Sequence, residues 1–107
     1  MHMDLKGKRV VVAGGSRGIG RSIALGFAAA GAGVSICARG RAALDATAAE
    51  IAANGVKLHA AVCDLADKDA IAAYIAAAAD SLGGIDVLVN NASGFGTSDD
   101  EAGWAKA

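Results

Sequence analysis

A cluster of glycines and arginines near the amino terminus is the part of this sequence best suited to hold a charged ligand. The segment VVVAGGSRGIGRS, residues 10–22, places Gly14, Gly18 and Gly20 in the spacing G-x-x-x-G-x-G between a β-branched run and a helical pattern. Glycine permits a tight turn at the first position, close approach of a diphosphate at the second, and close helix-to-strand packing at the third. The diphosphate would rest on free N–H groups at the start of the helix. An ordinary strand-to-helix turn is the alternative that involves no ligand.

The same letters, counted from Gly15, come within one substitution of the phosphate loop G-x-x-x-x-G-K-[ST]. In this alternative Arg21 replaces the lysine, Ser22 takes the magnesium position, and Asp64 ends an apolar strand as a metal-orienting carboxylate. A guanidinium is a planar fork rather than the compact ammonium that such a loop encloses, which counts against ATP or GTP. The glycine turn therefore favours a dinucleotide over a nucleoside triphosphate.

The other residue types that carry chemistry lack partners at useful spacing. Tyr74 lies in an alanine-rich helical pattern, and His59 alternates within a predicted strand. Cys37 and Cys63 fall in predicted strands without a C-x-x-C spacing, so we expect buried free thiols rather than a disulfide or a metal pair. We therefore expect neither a catalytic nucleophile nor a metal site.

Composition predicts one compact domain with no nucleic-acid or membrane partner. The 107 residues are 54% hydrophobic and 20% charged, with a formal net charge of −1, so nothing general attracts nucleic acid or anionic lipid. The longest apolar stretch, residues 70–79, is far shorter than the ~20 residues of a membrane span. Because residues 1–4 do not open a signal peptide either, we expect a cytoplasmic protein.

Short β-branched runs alternate with longer helical patterns, which predicts parallel strands joined by helices. We expect strands buried on both faces over residues 9–13, 33–38, 56–63 and 85–90. The apolar stripes predicted to face the sheet are Ile19, Ile23 and Phe27, then Leu44, Ala48 and Ile51, then Ile71, Ile75, Ala78 and Leu82. The glycines expected to end these helices are Gly31, Gly55, Gly83 and Gly84.

Right-handed crossovers place these strands in the order 3-2-1-4, an α/β fold with a doubly wound parallel sheet. Ligand should bind beyond the carboxyl ends of strands one and four. The fourth strand is apolar, and no later strand in this chain pairs with its outer edge, so we expect self-association into a homo-oligomer. The last predicted helix begins at residues 98–101 and stops after about two turns. We therefore expect residues 1–107 to be the amino-terminal, truncated part of a single larger domain.

These features resemble the short-chain dehydrogenases/reductases, whose fingerprint T-G-x-x-x-G-I-G follows the first strand. The chain has A-G-G-S-R-G-I-G over residues 13–20, with Ala13 in place of the threonine whose hydroxyl ties the turn internally in the family. The family's N-N-A-G after strand four stands as N-N-A-S over residues 90–93, and its aspartate after strand three as Asp64. The resemblance spans the chain. It implies a Rossmann-type fold that binds NAD(P) and acts on a small carbonyl or alcohol substrate.

The resemblance assigns a role to each matched residue. Gly14, Ser16, Arg17, Gly18, Ile19 and Gly20 would hold the diphosphate, Arg39 the 2′-phosphate, Asp64 and Leu65 the adenine, and Asn90 and Ala92 the nicotinamide ribose. No carboxylate follows strand two to accept ribose hydroxyls, and Arg39 stands there instead. With Arg17 it could clasp a 2′-phosphate, although two solvent-exposed arginines without a ligand are the alternative. NADP(H) is therefore preferred over NAD(H).

The groups that perform hydride transfer in the family are not found in this chain. They are a tyrosine, a lysine four residues later, a serine and an asparagine. Tyr74 is followed at that spacing by Ala78, Ser93 and Ser98 precede the family's catalytic segment, and Trp104 matches a tryptophan shortly before the catalytic asparagine. The resemblance thus implies the NADP(H)-binding half of an oxidoreductase, with no catalytic residue present. A standalone nucleotide-binding or interaction module is the alternative.

Overall fold

The computed structural model describes residues 4–91, in which four parallel strands form one sheet in the order β3-β2-β1-β4. The strands are β1 (Arg9–Ala13), β2 (Gly33–Ala38), β3 (Leu58–Val62) and β4 (Val87–Asn90). The helices that alternate with them are α1 (Gly18–Ala29), α2 (Arg41–Ala52) and α3 (Lys68–Leu82). The predicted α/β fold and strand order are confirmed.

The sheet separates two apolar cores. Alternate residues of β1 point to opposite faces of the sheet. In the register of the sheet, Arg9 of β1 lies opposite Gly33 of β2, and Val10 of β1 lies opposite Val87 of β4. The core beneath α1 and α2 includes Val10, Val12, Ala24, Ala28, Val34, Ile36, Leu44 and Ile51. The core beneath α3 includes Val11, Ala13, Cys37, Cys63, Tyr74, Ala78 and Leu82.

Burial of the strands follows their place in the sheet. The central strands β1 and β2 are almost wholly buried, as predicted. The prediction of burial on both faces is wrong for β3 and β4, because these strands lie at the two edges of the described sheet. Val62 and Leu88 are accordingly exposed by 47% and 55%. Hydrogen bonding between β2 and β3 begins one residue before β3, since the carbonyl of Lys57 accepts from the Val34 N–H at 2.9 Å.

The stripe of α1 that faces the sheet is one residue away from the predicted one. Its buried residues are Gly20, Ala24 and Ala28. Ile19, predicted to face the sheet, is 72% exposed, while Ile23 and Phe27 are half-buried beside the core. Small residues form the buried stripe because α1 lies very close to the preceding turn. A Cβ atom on Gly20 would come within 2.3 Å of the Gly14 carbonyl oxygen.

The other two helices pack largely as predicted. The buried residues of α2 are Leu44, Thr47 and Ile51, and those of α3 are Tyr74, Ala78 and Leu82. Ala48, Ile71 and Ile75 are partly buried against the cores. The glycines predicted to end the helices all have positive φ, a conformation that glycine adopts at little cost.

A buried polar network holds α3 against the sheet. Ser35 Oγ on β2 lies 2.6 Å from the Tyr74 hydroxyl of α3 and 2.8 Å from Nδ1 of His59 on β3. The His59 and Tyr74 rings are stacked with their centroids 5.8 Å apart. Both buried hydroxyls therefore have partners, as buried polar groups require.

Arg9 and Asp86 join the beginnings of β1 and β4 at the amino-terminal edge of the sheet. The Asp86 carboxylate accepts from the Arg9 backbone N–H at 2.8 Å, from Nε at 2.9 Å and from Nη2 at 3.1 Å. Arg9 Nη1 also donates to the Gly83 carbonyl at 2.6 Å. The Asp86 backbone N–H also donates to the Arg9 carbonyl at 2.8 Å, and the strand itself begins at Val87 rather than at the predicted residue 85.

We expect Asp86→Asn to flatten the dependence of stability on acid pH. Hydrogen bonds from Arg9 lower the pKa of Asp86 from 3.8 to about 2, so the ionised carboxylate stabilises the fold above pH 3.8. In the wild-type protein this contribution is lost as pH falls toward about 2. The variant lacks it throughout, so it should be less stable at neutral pH and lose less stability on acidification.

Urea unfolding followed by circular dichroism, at neutral pH and at steps down through this window, measures the effect. Asp45→Asn is the matched control, because Asp45 makes only an exposed contact with Arg41 at 3.5 Å within α2. An Asp86→Asn protein with the pH profile of the wild type would contradict the prediction.

Candidate functional site

The glycine turn connects the end of β1 to the start of α1 at the carboxyl edge of the sheet. Gly14 has φ +84° and Gly18 has φ +53°, both in the left-handed region that favours glycine. The N–H groups of Gly14 and Gly15 donate to the Cys37 carbonyl at 3.1 and 3.3 Å. These bonds fix the turn to the end of β2, shortly before Arg39.

The glycines of the turn serve two different purposes. A Cβ atom on Gly14 would lie 2.1 Å from the Asn91 carbonyl oxygen, and one on Gly20 would lie 2.3 Å from the Gly14 carbonyl oxygen. These two positions exclude a side chain because the space is already filled, at Gly14 by the Asn91 carbonyl and at Gly20 by the Gly14 carbonyl and Nδ2 of Asn91. A Cβ atom on Gly18 would meet nothing within 4 Å. Gly18 therefore borders open space, and its absent side chain leaves room for a ligand.

The first turn of α1 has N–H groups that no side chain caps. Arg17 precedes the helix with extended backbone and makes no capping hydrogen bond, and the first turn holds no acidic residue. Gly40 leaves the start of α2 equally uncapped. In contrast, the Asp67 carboxylate caps α3 by accepting from the N–H groups of Asp69 and Ala70 at 2.9 and 3.2 Å. The uncapped start of α1 is therefore suited to an anion.

Four arginines lie around this edge and divide into two pairs. Arg21 Nε donates to Glu50 Oε1 at 3.0 Å, with a second bond from Nη2 to the other oxygen, and Arg41 forms an i,i+4 pair within α2. Arg17 and Arg39 are exposed, and neither forms a salt bridge with any residue of the range 4–91. Two guanidiniums at this edge thus have no carboxylate partner in the described chain.

The phosphate-loop alternative does not fit this geometry. The guanidinium of Arg21, which would replace the loop lysine, is bound in a bidentate pair with Glu50 on α2. Asp64 Oδ1 accepts from the N–H of Ala66 at 2.9 Å and so stabilises a local turn. No group of three potential metal-ligating side chains occurs within residues 4–91.

The other predicted cofactor contacts lie along the same edge. Asp64 is exposed just after β3, and Leu65 is half-buried beside the turn, with its Cδ1 3.5 Å from where a Gly14 Cβ would stand. Asn90 ends β4 in register with Ala13, and Ser16 is half-buried within the turn. Ala92, Ser93, Ser98 and Trp104 lie outside the described residues.

Two residues that hold the turn escaped the sequence prediction. Asn91 Nδ2 donates to the Gly14 carbonyl at 3.3 Å, and its backbone N–H donates to Ala13 at 2.9 Å. Thr47 Oγ1 on α2 donates to the Ser16 carbonyl at 3.2 Å. Asn91 stands within the N-N-A-S motif, which was a usable signal. In the sequence, the only signal for the role of Thr47 is that it carries a hydroxyl at a position within an apolar stripe.

The remaining titratable groups are built into the core. Tyr74 is 4% exposed, and burial raises the pKa of its phenol. A phenol with a raised pKa is a weaker acid and therefore a poor proton donor. Burial also raises the pKa of Cys37 to about 11, and the predicted buried, free state of Cys37 and Cys63 is confirmed. Ser35 cannot act as a nucleophile with His59, because it is fully buried.

Comparison with known proteins agrees with this fold and turn. A family model described as short chain dehydrogenase matches residues 8–106. Gluconate 5-dehydrogenase from Gluconobacter oxydans is 42% identical over 89 residues, 83% of this chain and 35% of that protein. Fatty acyl-CoA reductase from Mycobacterium tuberculosis is 40% identical over 90 residues, 84% of this chain and 31% of that protein.

A solved structure has a similar fold over most of this chain. L-sorbose reductase from Gluconobacter frateurii, complexed with NADPH and L-sorbose, superposes with a TM-score of 0.79 at 38% identity, over 86% of this chain and 35% of that one. The chain spans about a third of the length of the relatives it matches. No helix within residues 4–91 has the length and apolar character needed to cross a membrane. The glycine turn, the strand order and the match over residues 8–106 together establish that this chain belongs to the short-chain dehydrogenase family.

Proposed function

We propose that this chain is the NADP(H)-binding, amino-terminal part of an oxidoreductase domain. In its longer form the domain would transfer hydride between NADP(H) and a small carbonyl or alcohol substrate. One observation carries the proposal: the uncapped start of α1 adjoins Arg17, and Arg17 and Arg39 have no acidic partner in the described residues. The extent of the match, about a third of each relative, supports the view that residues 1–107 form part of a larger unit.

The diphosphate would lie over the glycine turn. Gly18 borders open space, and the N–H groups that follow it begin α1 without a cap. A diphosphate would accept from these groups and would be favoured by the helix dipole. The residues proposed to hold it are Gly14, Ser16, Arg17, Gly18, Ile19 and Gly20. Ile19 would contribute its backbone N–H, which lies in the uncapped first turn of α1.

The 2′-phosphate would bind Arg39, assisted by Arg17. An NAD-binding site needs a carboxylate after β2 to accept hydrogen bonds from the ribose hydroxyls, but the residues there are Arg39, Gly40 and Arg41. A guanidinium donates two parallel, charge-assisted hydrogen bonds to a phosphate. Arg39 is the candidate rather than Arg41 because Arg41 already pairs within α2. L-sorbose reductase, which is described as complexed with NADPH, offers a precedent among similar structures.

The remaining contacts would place the two ends of the cofactor. Asp64 and Leu65 would hold the adenine beyond β3, and Asn90 and Ala92 the nicotinamide ribose beyond β4. NADP(H) supplies or accepts the hydride, and this chain contributes binding and orientation. A cytoplasmic location stays a prediction, consistent with two cysteines kept as free thiols.

Parallel titrations with NADPH, NADH and magnesium-ATP test the proposal. We expect saturable binding of NADPH, weaker binding of NADH, and none of magnesium-ATP, because Arg21 is bound to Glu50 rather than free for a triphosphate. Fluorescence of the nicotinamide ring and calorimetry report the three affinities. A folded protein that binds magnesium-ATP but not NADPH would overturn the proposal in favour of a phosphate-loop module.

Arg39→Asp should reverse the cofactor preference. The substitution removes a charge-assisted bond to the 2′-phosphate and places a carboxylate where ribose hydroxyls could donate. We expect NADPH affinity to fall roughly tenfold or more, with NADH affinity kept or improved. Arg41→Asp is the matched control, since it makes the same change of net charge two residues away at an arginine already paired with Asp45. An unchanged ratio of NADPH to NADH affinity in Arg39→Asp would remove Arg39 from the site.

We also propose that β4 mediates association between copies of this chain. No strand lies beyond β4 in the described sheet, and Leu88 on this strand is 55% exposed. Leu88→Lys should therefore shift the protein toward monomer in analytical ultracentrifugation, because charge on an edge strand opposes pairing. Ile19→Lys is the control, since Ile19 is also exposed but lies on α1. A wild-type protein that is monomeric at high concentration would contradict this proposal.

A further inference from the structure

Thr47 is a buried polar residue in a helix stripe that is otherwise apolar. It lies between Leu44 and Ile51 on the sheet-facing side of α2 and is 2% exposed. A hydroxyl removed from water at such a position requires a hydrogen-bond partner. Packing alone would be served as well by valine, which has the same shape. Packing alone therefore does not account for the hydroxyl.

The partner of Thr47 is the glycine turn. Thr47 Oγ1 donates to the Ser16 carbonyl at 3.2 Å, across 31 residues of sequence. The C=O and N–H of a trans peptide point in opposite directions, and no peptide bond within residues 4–91 is cis. With the Ser16 carbonyl directed at α2, the N–H of Arg17 must point away from α2. The hydroxyl thus fixes the orientation of one peptide plane in the turn.

The turn has few other restraints at this point. Ala13 provides no hydroxyl, and the bonds of Gly14 and Gly15 to Cys37 hold only the beginning of the turn. Asn91 holds the Gly14 carbonyl from the side of β4. The Ser16 carbonyl, in the middle of the turn, is held from the opposite side by Thr47. The two side chains therefore secure the turn at separate carbonyls.

We infer that Thr47 is a positioning residue for the cofactor. Its hydroxyl holds the peptide between Ser16 and Arg17 so that the Arg17 N–H faces away from α2, toward the proposed diphosphate. Arg21 and Glu50 form a second contact between α1 and α2 on the same side of the sheet. The inference rests on the proposed function, because it assigns Thr47 to the binding of NADP(H).

Three variants isolate the hydroxyl. Thr47→Val keeps the shape and removes the donor, Thr47→Ser restores the donor, and Ile51→Val removes one methylene from the same helix face without touching the turn. Amide hydrogen exchange of the cofactor-free protein, followed by mass spectrometry of the segment 14–20, is the first measurement. We expect faster exchange in Thr47→Val and wild-type exchange in the other two.

The second measurement is the NADPH affinity of the same proteins. Thr47→Val should bind NADPH about fivefold more weakly, the size expected for one neutral hydrogen bond, and Thr47→Ser should return close to the wild-type affinity. Thermal unfolding of all three variants checks whether loss of stability alone explains the weaker binding of NADPH. We expect Ile51→Val to lower the stability and to leave the turn and the NADPH affinity unchanged.

Wild-type affinity in Thr47→Val, with or without a change in exchange, would overturn the inference, as would an equal loss in Ile51→Val. If the wild-type protein itself does not bind NADPH, the proposed function fails. The exchange measurement then decides by itself whether Thr47 holds the turn, so the two failures are distinguishable.

Discussion

The close contact between the start of α1 and the turn that precedes it determines where everything else at the carboxyl edge can lie. Gly20 packs against the Gly14 carbonyl and the Asn91 amide group, and Gly14 packs against the Asn91 carbonyl, so three segments of the chain meet with no room for a side chain on either glycine. This contact brings the ends of β1 and β4 together with the first N–H groups of α1. A methyl group at either glycine would move the helix away from the sheet and separate these groups.

Charge at this edge is arranged around the same contact. The acidic side chains that lie near the turn are occupied, since Glu50 binds Arg21 and Asp64 binds a backbone N–H. What remains is a helix start without a cap and two exposed guanidiniums. Such a surface favours anions by local geometry, although the chain as a whole carries a net charge of −1. This local preference for anions therefore depends on the pairing of the nearby carboxylates, which leaves Arg17 and Arg39 without acidic partners among the described residues.

The sequence was a good guide wherever the determining interactions are local. β1 and β2 match the predicted ranges because β-branched runs end at glycine and arginine, and the strand order follows from the handedness of the crossovers. The stripe of α1 was wrongly predicted because large apolar residues were favoured as core residues. Close packing instead selected glycine and alanine, and this preference is visible only once the helix is placed against the turn.

The site shows the same division between local and long-range information. The glycines could be found from their spacing, but Gly15 was weighed only as part of a phosphate loop. In the structure a Cβ atom on Gly15 would lie 2.6 Å from Ile36 Cγ2 on β2, a neighbour that no spacing reveals. Thr47 and Glu50 escaped for the same reason, because their partners lie on α1 or the turn. Side-chain contacts between two helices depend on how the helices cross, and the periodicity of one helix does not reveal that crossing.

The hydrogen bonds of Ser35 have a consequence for how the sheet selects its own alignment. β3 has the sequence LHAAV, in which small alanines impose little preference for one pairing over another. Ser35 stands directly opposite His59 in the observed register, and Tyr74 completes the network. Sliding β3 by one position would turn the imidazole to the other side of the sheet and set Leu58 or Ala60 opposite the hydroxyl. The network thus stabilises the observed register of β3 over one shifted by a residue, between which the alanines of β3 discriminate little.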